Sequence, residues 1–468
     1  MNLMKLLGRG ITEKGADAKT EEVIQKLKLD KELLKKCEEY YLNEVVPKEK
    51  MSDNFFEISS REVSAQRDKL IPVGDLKGII KSIVEELKDR TNLFVYENGE
   101  TRVVREKDNP RNLVSKEELM AIPEEFRPNL SGTLSIRDIG EESYKPILFM
   151  YNEYMKCLET GDQKGAFQFY MRFMQGLDLL DLDPIVYEII RRNKNSMGNW
   201  LPQIIEANKD FDFFKIPNTK IIEVPISLLQ LTRMDYMRLS PTTMNIVDEY
   251  IHDIFELDDN KSYFIKTGTY SSKFDFRNAK VTTPKEVQEL GEYLLYIHYQ
   301  ALSYASPLNN VSMPGASTTV EWVVRDFIED VEENPTIYKG LPLRTEFRVF
   351  VDFDTKEVIG IDNYWRPDLM EKRFSKENQR GSGDKHDHIT YMVNKDKLVK
   401  DFEDNKGLVA NEVLRLIKQC NLTGQYSIDV MKNGNDFYII DMALASESAL
   451  KDCVPDGKLK FQNSIMLN

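Results

Sequence analysis

The feature that most constrains the fold is a pair of apolar runs late in the chain, Tyr426-Ser427-Ile428-Asp429-Val430 and Phe437-Tyr438-Ile439-Ile440-Asp441, separated by Asn433-Gly434-Asn435. Aromatic and β-branched residues flanking an Asn-Gly turn predict an antiparallel hairpin. With a three-residue loop at Gly434 to Asp436, Asp429 stands opposite Asp441. Directly opposed side chains lie about 4.5–5.5 Å apart, where like charges destabilise a sheet. A divalent cation between the two removes that penalty. Magnesium suits the place, because it takes one or two carboxylates together with substrate phosphates. A different turn register instead leaves one aspartate exposed.

Three upstream segments extend the pattern. Thr345-Glu346-Phe347-Arg348-Val349-Phe350-Val351 alternates, so Phe347, Val349 and Val351 share one strand face while Glu346 and Arg348 share the other. The strand turns near Asp354-Thr355 and returns through Val358 to Ile361. Tyr263-Phe264-Ile265-Lys266 reads as a buried strand ending in a lysine, followed by the small, hydroxylated loop Thr267-Gly268-Thr269-Tyr270-Ser271-Ser272-Lys273. Such a loop can present N–H groups, hydroxyls and a cation to phosphate. Val320 to Ile328 is a strand that breaks into the acidic linker Glu329-Asp330-Val331-Glu332-Glu333, a candidate hinge whose backbone can pair with a purine edge. Each segment alone also has a plain reading: a solvated lysine, an exposed ion pair on a hairpin, a strand leaving the core.

The 468 residues exceed what one core usually supports, which predicts two or three domains. Hydrophobic residues make up 41% and charged residues 30%, with no apolar run long enough for a bilayer, so a soluble globular protein without membrane attachment is expected. The apolar stretch Met1 to Leu7 is too short for a secretion signal, which places the protein in the cytoplasm. Cys37, Cys157, Cys420 and Cys453 are scattered, so neither a disulfide framework nor a zinc site is expected. A net charge of −14 disfavours nucleic acid as a partner.

The fold class expected is α+β. A mainly helical region, 1–205, precedes a sheet-rich domain, 206–468, with the boundary between Asn193 and Lys220. Asp75 to Asp89 carries Leu76, Ile79, Ile80, Ile83, Val84 and Leu87 on one helical face. A hairpin follows at Leu93 to Val104 around Asn98-Gly99, then a capping box at Ser115-Lys116-Glu117-Glu118 and helices from Pro146 to Asn193. Ser240-Pro241 and Thr283-Pro284-Lys285-Glu286 start two further helices. His252 and His298 fall in helices. His386 and His388 fall on an expected loop after Gly381-Ser382-Gly383, within reach of a substrate.

The order of strand lysine, small-residue loop, capped helix, hinge strand, Glu-x-Arg strand and paired acidic strands resembles an ATP-grasp domain of two lobes with mainly antiparallel sheets. The local likeness is to the branch of cell-division-control proteins that help assemble a translation initiation factor, and to related phage and bacterial ATP-grasp proteins. It rests on Val324-Arg325-Asp326-Phe327, Glu346 to Val351, Ile428-Asp429-Val430 and Tyr438 to Asp441, and spans about half of the chain. The resemblance implies ATP and magnesium as cofactors. It places Lys266 and Lys273 at the phosphates, the backbone of Arg325, Asp326, Phe327 and Ile328 at the adenine, and Glu346 and Arg348 on the nucleotide-facing strand. Arg348 would meet the terminal phosphate, Lys266 and Arg348 would be the catalytic pair, and Asp429 and Asp441 would ligate magnesium. Where the family commonly has Asn two residues after the second acidic ligand, this chain has Ala443, with Ser446 or Glu447 as substitutes if the strand bends.

The activity implied is a ligase that transfers the γ-phosphoryl group to a carboxylate acceptor, releases ADP and lets an amine or similar nucleophile attack the acyl phosphate. A second reading is an ATP-binding assembly factor for a protein partner. A third makes Lys266 the nucleophile of a nucleic-acid ligase, but glycine follows that lysine by two residues, whereas such ligases place it three residues on.

Overall fold

The computed structural model describes residues 13–46, 76–104, 141–180, 182, 184–233, 239–306, 313–379 and 385–465. The strands, in chain order, are β1 (Asn92–Glu97), β2 (Glu100–Val104), β3 (Phe214–Lys215), β4 (Thr219–Glu223), β5 (Tyr263–Thr267), β6 (Lys280–Val281), β7 (Glu321–Asp326), β8 (Thr336–Ile337), β9 (Leu341–Pro342), β10 (Glu346–Asp352), β11 (Glu357–Asn363), β12 (Gln425–Asn433) and β13 (Asp436–Leu444). The principal helices are α1 (Glu13–Leu29), α2 (Lys31–Tyr40), α3 (Leu76–Asp89), α4 (Glu141–Thr160), α5 (Gln163–Leu179), α6 (Pro184–Arg191), α7 (Met197–Asn208), α8 (Pro241–Phe255), α9 (Leu290–Ala305), α10 (Pro367–Gln379) and α11 (Lys385–Gln419). The class is α+β, and no described helix is long and apolar enough to cross a membrane.

Two sheets organise the molecule. The first is six-stranded and antiparallel, in the order β2-β1-β4-β7-β5-β6. The second has the order β11-β10-β12-β13-β3 and is antiparallel except for the short β13/β3 pair. Alternation along β7 shows how they meet. Trp322 and Val324 join a core with Tyr170, Phe173, Val247 and Leu294 from α5, α8 and α9, while Val323 on the opposite face joins Phe347, Val349, Ile428 and Ile439 of the second sheet. The first sheet is therefore covered by helices on one face and by the second sheet's core on the other, which is why consecutive residues of β4 and β7, Ile221-Ile222 and Trp322-Val323-Val324, are apolar and buried on both faces.

The boundary expected between Asn193 and Lys220 does not separate two cores. β1 pairs with β4 in one ladder, Phe94 opposite Ile221, and the helices on both sides of that boundary share one apolar cluster. Composition changes there, but the early helices have only one apolar stripe each and bury it against the later strands. In α3, Ile80, Val84 and Leu87 are buried, whereas Ile79 and Ile83 from the same predicted face stay exposed. The β1–β2 turn is as expected, with Asn98 and Gly99 at φ 53 and 83. Ser240 and Thr283 cap their helices, the latter within a full capping box. The capping box at Ser115 and the Gly381-Ser382-Gly383 cluster lie outside the described residues.

The histidines sort differently from expectation. His386 and His388 lie in the first turn of α11, not on a loop. His386 is buried, with its ring stacked on Tyr41 at 3.5 Å between centroids, and Asp387 and Glu38 overcome the effect of burial to lift its pKa to about 9. His388 stacks on Phe374. His298 takes a hydrogen bond from the Trp322 indole, and burial pulls its pKa down to about 3.

A short segment before α7 joins the two sheets. Asn193 donates to the Thr318 carbonyl (2.6 Å), and Met197 N–H donates to that of Gly268 (3.0 Å). Asn195 accepts from Leu444 N–H and donates to Glu447, both at 2.7 Å. Gly198 N–H donates to Glu321 at 2.9 Å, and a Cβ at residue 198 would stand 2.5 Å from that carboxylate, so the helix can approach only with glycine there. Burial raises the Glu321 pKa from 4.5 to about 7, with Glu223 adding to the shift and the Gly198 N–H, Lys266 and Arg191 opposing it. Between those two pH values the unfolded chain gives up this proton and the folded chain keeps it, so stability falls as pH rises. Glu321→Gln should remove a loss of about 3 kcal/mol at most between pH 4.5 and 7. Denaturant titration at pH 4.5 and pH 8 measures this; a variant-to-wild-type difference independent of pH would contradict it.

Candidate functional site

Where the two sheets face each other they enclose a cleft of about 830 Å³, its open mouth included. Its walls bring together Lys266, Lys273, Arg325, Asp326, Phe327, Ile328, Glu346, Asp429 and Asp441, residues drawn from strands of both sheets and two connections. Arg348 stands directly behind Asp429. Lys266 and Asp429 mark a charged end; two residues along the same strands, Phe264 and Met431 mark the other, to which Phe276 and Phe327 add apolar surface.

The charged end is built by the β12–β13 hairpin. Its loop has two residues, Gly434 and Asn435, since Asn433 pairs with Asp436, rather than the three expected. Gly434 takes φ 64, which suits the first position of a tight hairpin turn. Asp429 still faces Asp441, because the register shifts between Asp429 and Val430, which faces Ile439, leaving Ile440 as the extra residue of a bulge. Arg325 fixes that bulge from the other sheet. Its guanidinium donates to the carbonyls of Ile440 (2.6 Å) and Ile439 (3.5 Å) and to Thr219 Oγ1 (3.0 Å), and burial lowers its pKa to about 10. The Arg325 side chain is thus a tie between sheets.

Both aspartates already have counter-charges. Arg348 grips Asp429 with two parallel hydrogen bonds of 2.7 and 2.6 Å, and Lys266 Nζ lies 2.9 and 3.0 Å from the two oxygens of Asp441. Strand register puts Asp362, Arg348, Asp429 and Asp441 in one row across β11, β10, β12 and β13, closed by Lys266 from the facing sheet. The carboxylate repulsion that a metal would relieve is therefore offset by basic side chains. Among the described residues no cluster of three or more His, Cys, Asp or Glu forms a metal cage. The donor set still fits magnesium in kind, because that ion needs only one or two carboxylates when phosphates complete its shell. Neither expected substitute for the missing Asn reaches the site: Ser446 Oγ hydrogen-bonds the Gln462 carbonyl, and Glu447 pairs with Asn195.

The loop after β5 is less open than its composition suggests. Thr267 N–H donates to the Tyr270 carbonyl, Gly268 N–H to that of Glu321, and Tyr270 N–H to Thr267 Oγ1, so these donors are used within the protein. Only Ser271 and Lys273 from this loop line the cleft. Burial opposes the charge on Lys273, but Tyr364, Glu346 and Asp429 outweigh it and hold its pKa above the ordinary value. Glu346 is pushed up to about 7, by burial first, with Asp429 adding to the shift and Lys273, Arg348 and Arg344 restraining it.

At the hinge, Asp326 N–H donates to the Asn218 carbonyl and Phe327 N–H to that of Ser262. The Ile328 carbonyl accepts from Arg344 at 2.7 Å. Arg344, which also pairs with Asp330 at 2.8 Å, is a site residue that the sequence reading misses. The same two-residue period that singles out Glu346 and Arg348 points to it. Tyr364, at the end of β11, is another, and no local sequence signal marks it.

No family model matches this chain, and no curated protein matches it. Among solved structures it is similar to Cdc123 from Schizosaccharomyces pombe and to a C-terminally truncated form of that protein. Both are 14% identical with a TM-score of 0.33; the match covers 57% of this chain for the former and 58% for the latter, and 94% of the other chain in each case. A likeness that weak carries no functional inference, which leaves the chemistry of the cleft itself as the basis for one.

If Asp429 and Asp441 are a metal-competent pair, removing one counter-charge should expose it. Lys266→Met should melt below the wild type, and magnesium chloride should raise its melting temperature by several degrees more than it raises that of the wild type. Equal shifts for both proteins, measured by differential scanning fluorimetry, would contradict the assignment.

Proposed function

We propose that the cleft binds ATP with magnesium and that the protein is a cytoplasmic ligase of the ATP-grasp type. The observation that carries this reading is one slot with an apolar end beside the main chain of 326–328 and a charged end where Lys266, Lys273, Arg348, Asp429 and Asp441 converge. A purine would sit between Met431 and the adjoining rings of Phe276 and Phe327, with the main chain of 326–328 at its edge. The phosphates then extend toward the three cations.

The polyphosphate competes with Asp441 and Asp429 for Lys266 and Arg348. As those cations turn to phosphate oxygens, the two carboxylates become available. Magnesium bound there would neutralise charge on the terminal phosphates. Arg348, released from Asp429, would meet the γ-phosphoryl group, and its guanidinium would stabilise charge as the group moves to an acceptor carboxylate. Lys266 acts as a cation throughout: it is 2% exposed and held by Asp441, which does not suit attack on an α-phosphorus. ADP leaves, and an amine or similar nucleophile displaces phosphate from the acyl phosphate.

A second reading, ATP binding without turnover in support of a protein partner, draws on Ala443 and on a donor set limited to two carboxylates. Incubation with ATP, magnesium and a cell extract as acceptor source, followed by chromatography of the nucleotides, separates the readings. The ligase reading predicts ADP, and a loss of about a hundredfold or more in rate for Arg348→Met. AMP with label trapped on Lys266 would overturn it. Intact ATP binding with no turnover would favour the partner-binding reading.

A further inference from the structure

We infer that Tyr364 is a positioning residue that contacts both Lys273 and Arg348 and sets them as two phosphate-binding cations, and so gives the cleft its preference for a nucleoside triphosphate over a monophosphate. This rests on the nucleotide reading of the cleft and adds a residue to it. The Tyr364 ring is in contact with both cations. Lys273, from the turn after β5, lies 3.9 Å from the ring centroid and donates to the phenolic oxygen; the Arg348 guanidinium, from β10, lies 4.8 Å from the same centroid. The ring attracts the guanidinium and the phenolic oxygen attracts the ammonium, which offsets part of the repulsion between the two cations.

The ring is itself held firmly. Tyr364 N–H donates to the Glu346 carbonyl at 3.0 Å, and Asn363 Oδ1 takes the Trp365 N–H at 2.9 Å, fixing the turn out of β11. Trp365 is buried, its indole donates to the Arg344 carbonyl, and its own carbonyl accepts from Tyr391. The Tyr364 ring itself packs edge-on against Trp365, with 5.1 Å between centroids.

The choice of partner matters. Glu346 and Asp429 both attract Lys273 electrostatically, yet the hydrogen bond it makes is to the Tyr364 phenol. A carboxylate partner would hold the ammonium more strongly and would have to be displaced by phosphate. With the phenol as partner, Lys273 stays charged, placed and weakly bound. Arg348, locked on Asp429, touches the same ring, so one aromatic side chain sets the places of two cations. A leucine at 364 removes both the acceptor and the ring face, which frees Lys273 to move onto Glu346.

The test is calorimetry of magnesium-ATP and AMP binding to the wild type, Tyr364→Phe and Tyr364→Leu, with melting curves to confirm folding. The wild type should prefer ATP. Tyr364→Leu should weaken ATP by about tenfold, equivalent to about 1.4 kcal/mol, while AMP changes little. Tyr364→Phe, which keeps the ring, should fall between them. Equal losses for both nucleotides in Tyr364→Leu, or none for ATP, would overturn the proposal while leaving the nucleotide reading in place. A wild type that binds neither nucleotide overturns both.

Discussion

A single buried guanidinium sets the geometry on which the cleft depends. Arg325 leaves β7 in the first sheet and reaches the carbonyls of Ile439 and Ile440 in the second. Burying a cation is costly unless hydrogen bonds replace its water, and here the two carbonyls and Thr219 do so. What the contact secures is the bulge at Ile440. Without that extra residue the two-residue turn would slip the hairpin by one position and carry Asp441 to the other face. The same contact joins the two sheets, and the hub at Asn193 to Gly198 joins them a second time.

The charged end is organised by pairing before any ligand arrives. Arg348 and Lys266 sit on the carboxylates in a row that crosses four strands, so Asp429 and Asp441 are both matched by basic side chains. A polyphosphate exchanges one set of anions for another. Only the partners change, and the cations need not be moved from water, which is the preorganisation that makes fixed charges effective in a shielded site.

Much of this is legible in the chain, and the gaps have physical causes. Period-two alternation places Glu346 and Arg348 on one face, and places Arg344 there too once the count begins one step earlier. The Asp429–Asp441 pairing is reached through the wrong turn: a bulge built on isoleucine carries no glycine or proline to announce it, and the side chain that holds it comes from the distant strand β7. Separation along the chain also hides the hub before α7 and the role of Tyr364, which follows a strand and resembles any aromatic at a sheet end. The expected domain boundary fails because a helix's apolar stripe shows that something covers it, not which segment does. His386 looks exposed because it follows Gly and Ser residues, while its partners Tyr41 and Glu38 come from the distant helices at the start of the described chain.

The central claim is that the cleft between the sheets is a nucleotide site, with the base at its apolar end and the phosphates at its charged end. A crystal structure with magnesium and a non-hydrolysable ATP analogue tests it most directly. The account predicts the base between Phe327 and Met431 against the backbone of 326–328, phosphate oxygens within hydrogen-bond reach of Lys266, Lys273 and Arg348, and the metal bridging them to Asp429 and Asp441. An analogue bound elsewhere, or a cleft in which the Lys266–Asp441 and Arg348–Asp429 pairs persist with no nucleotide between the sheets at saturating concentration, would contradict it.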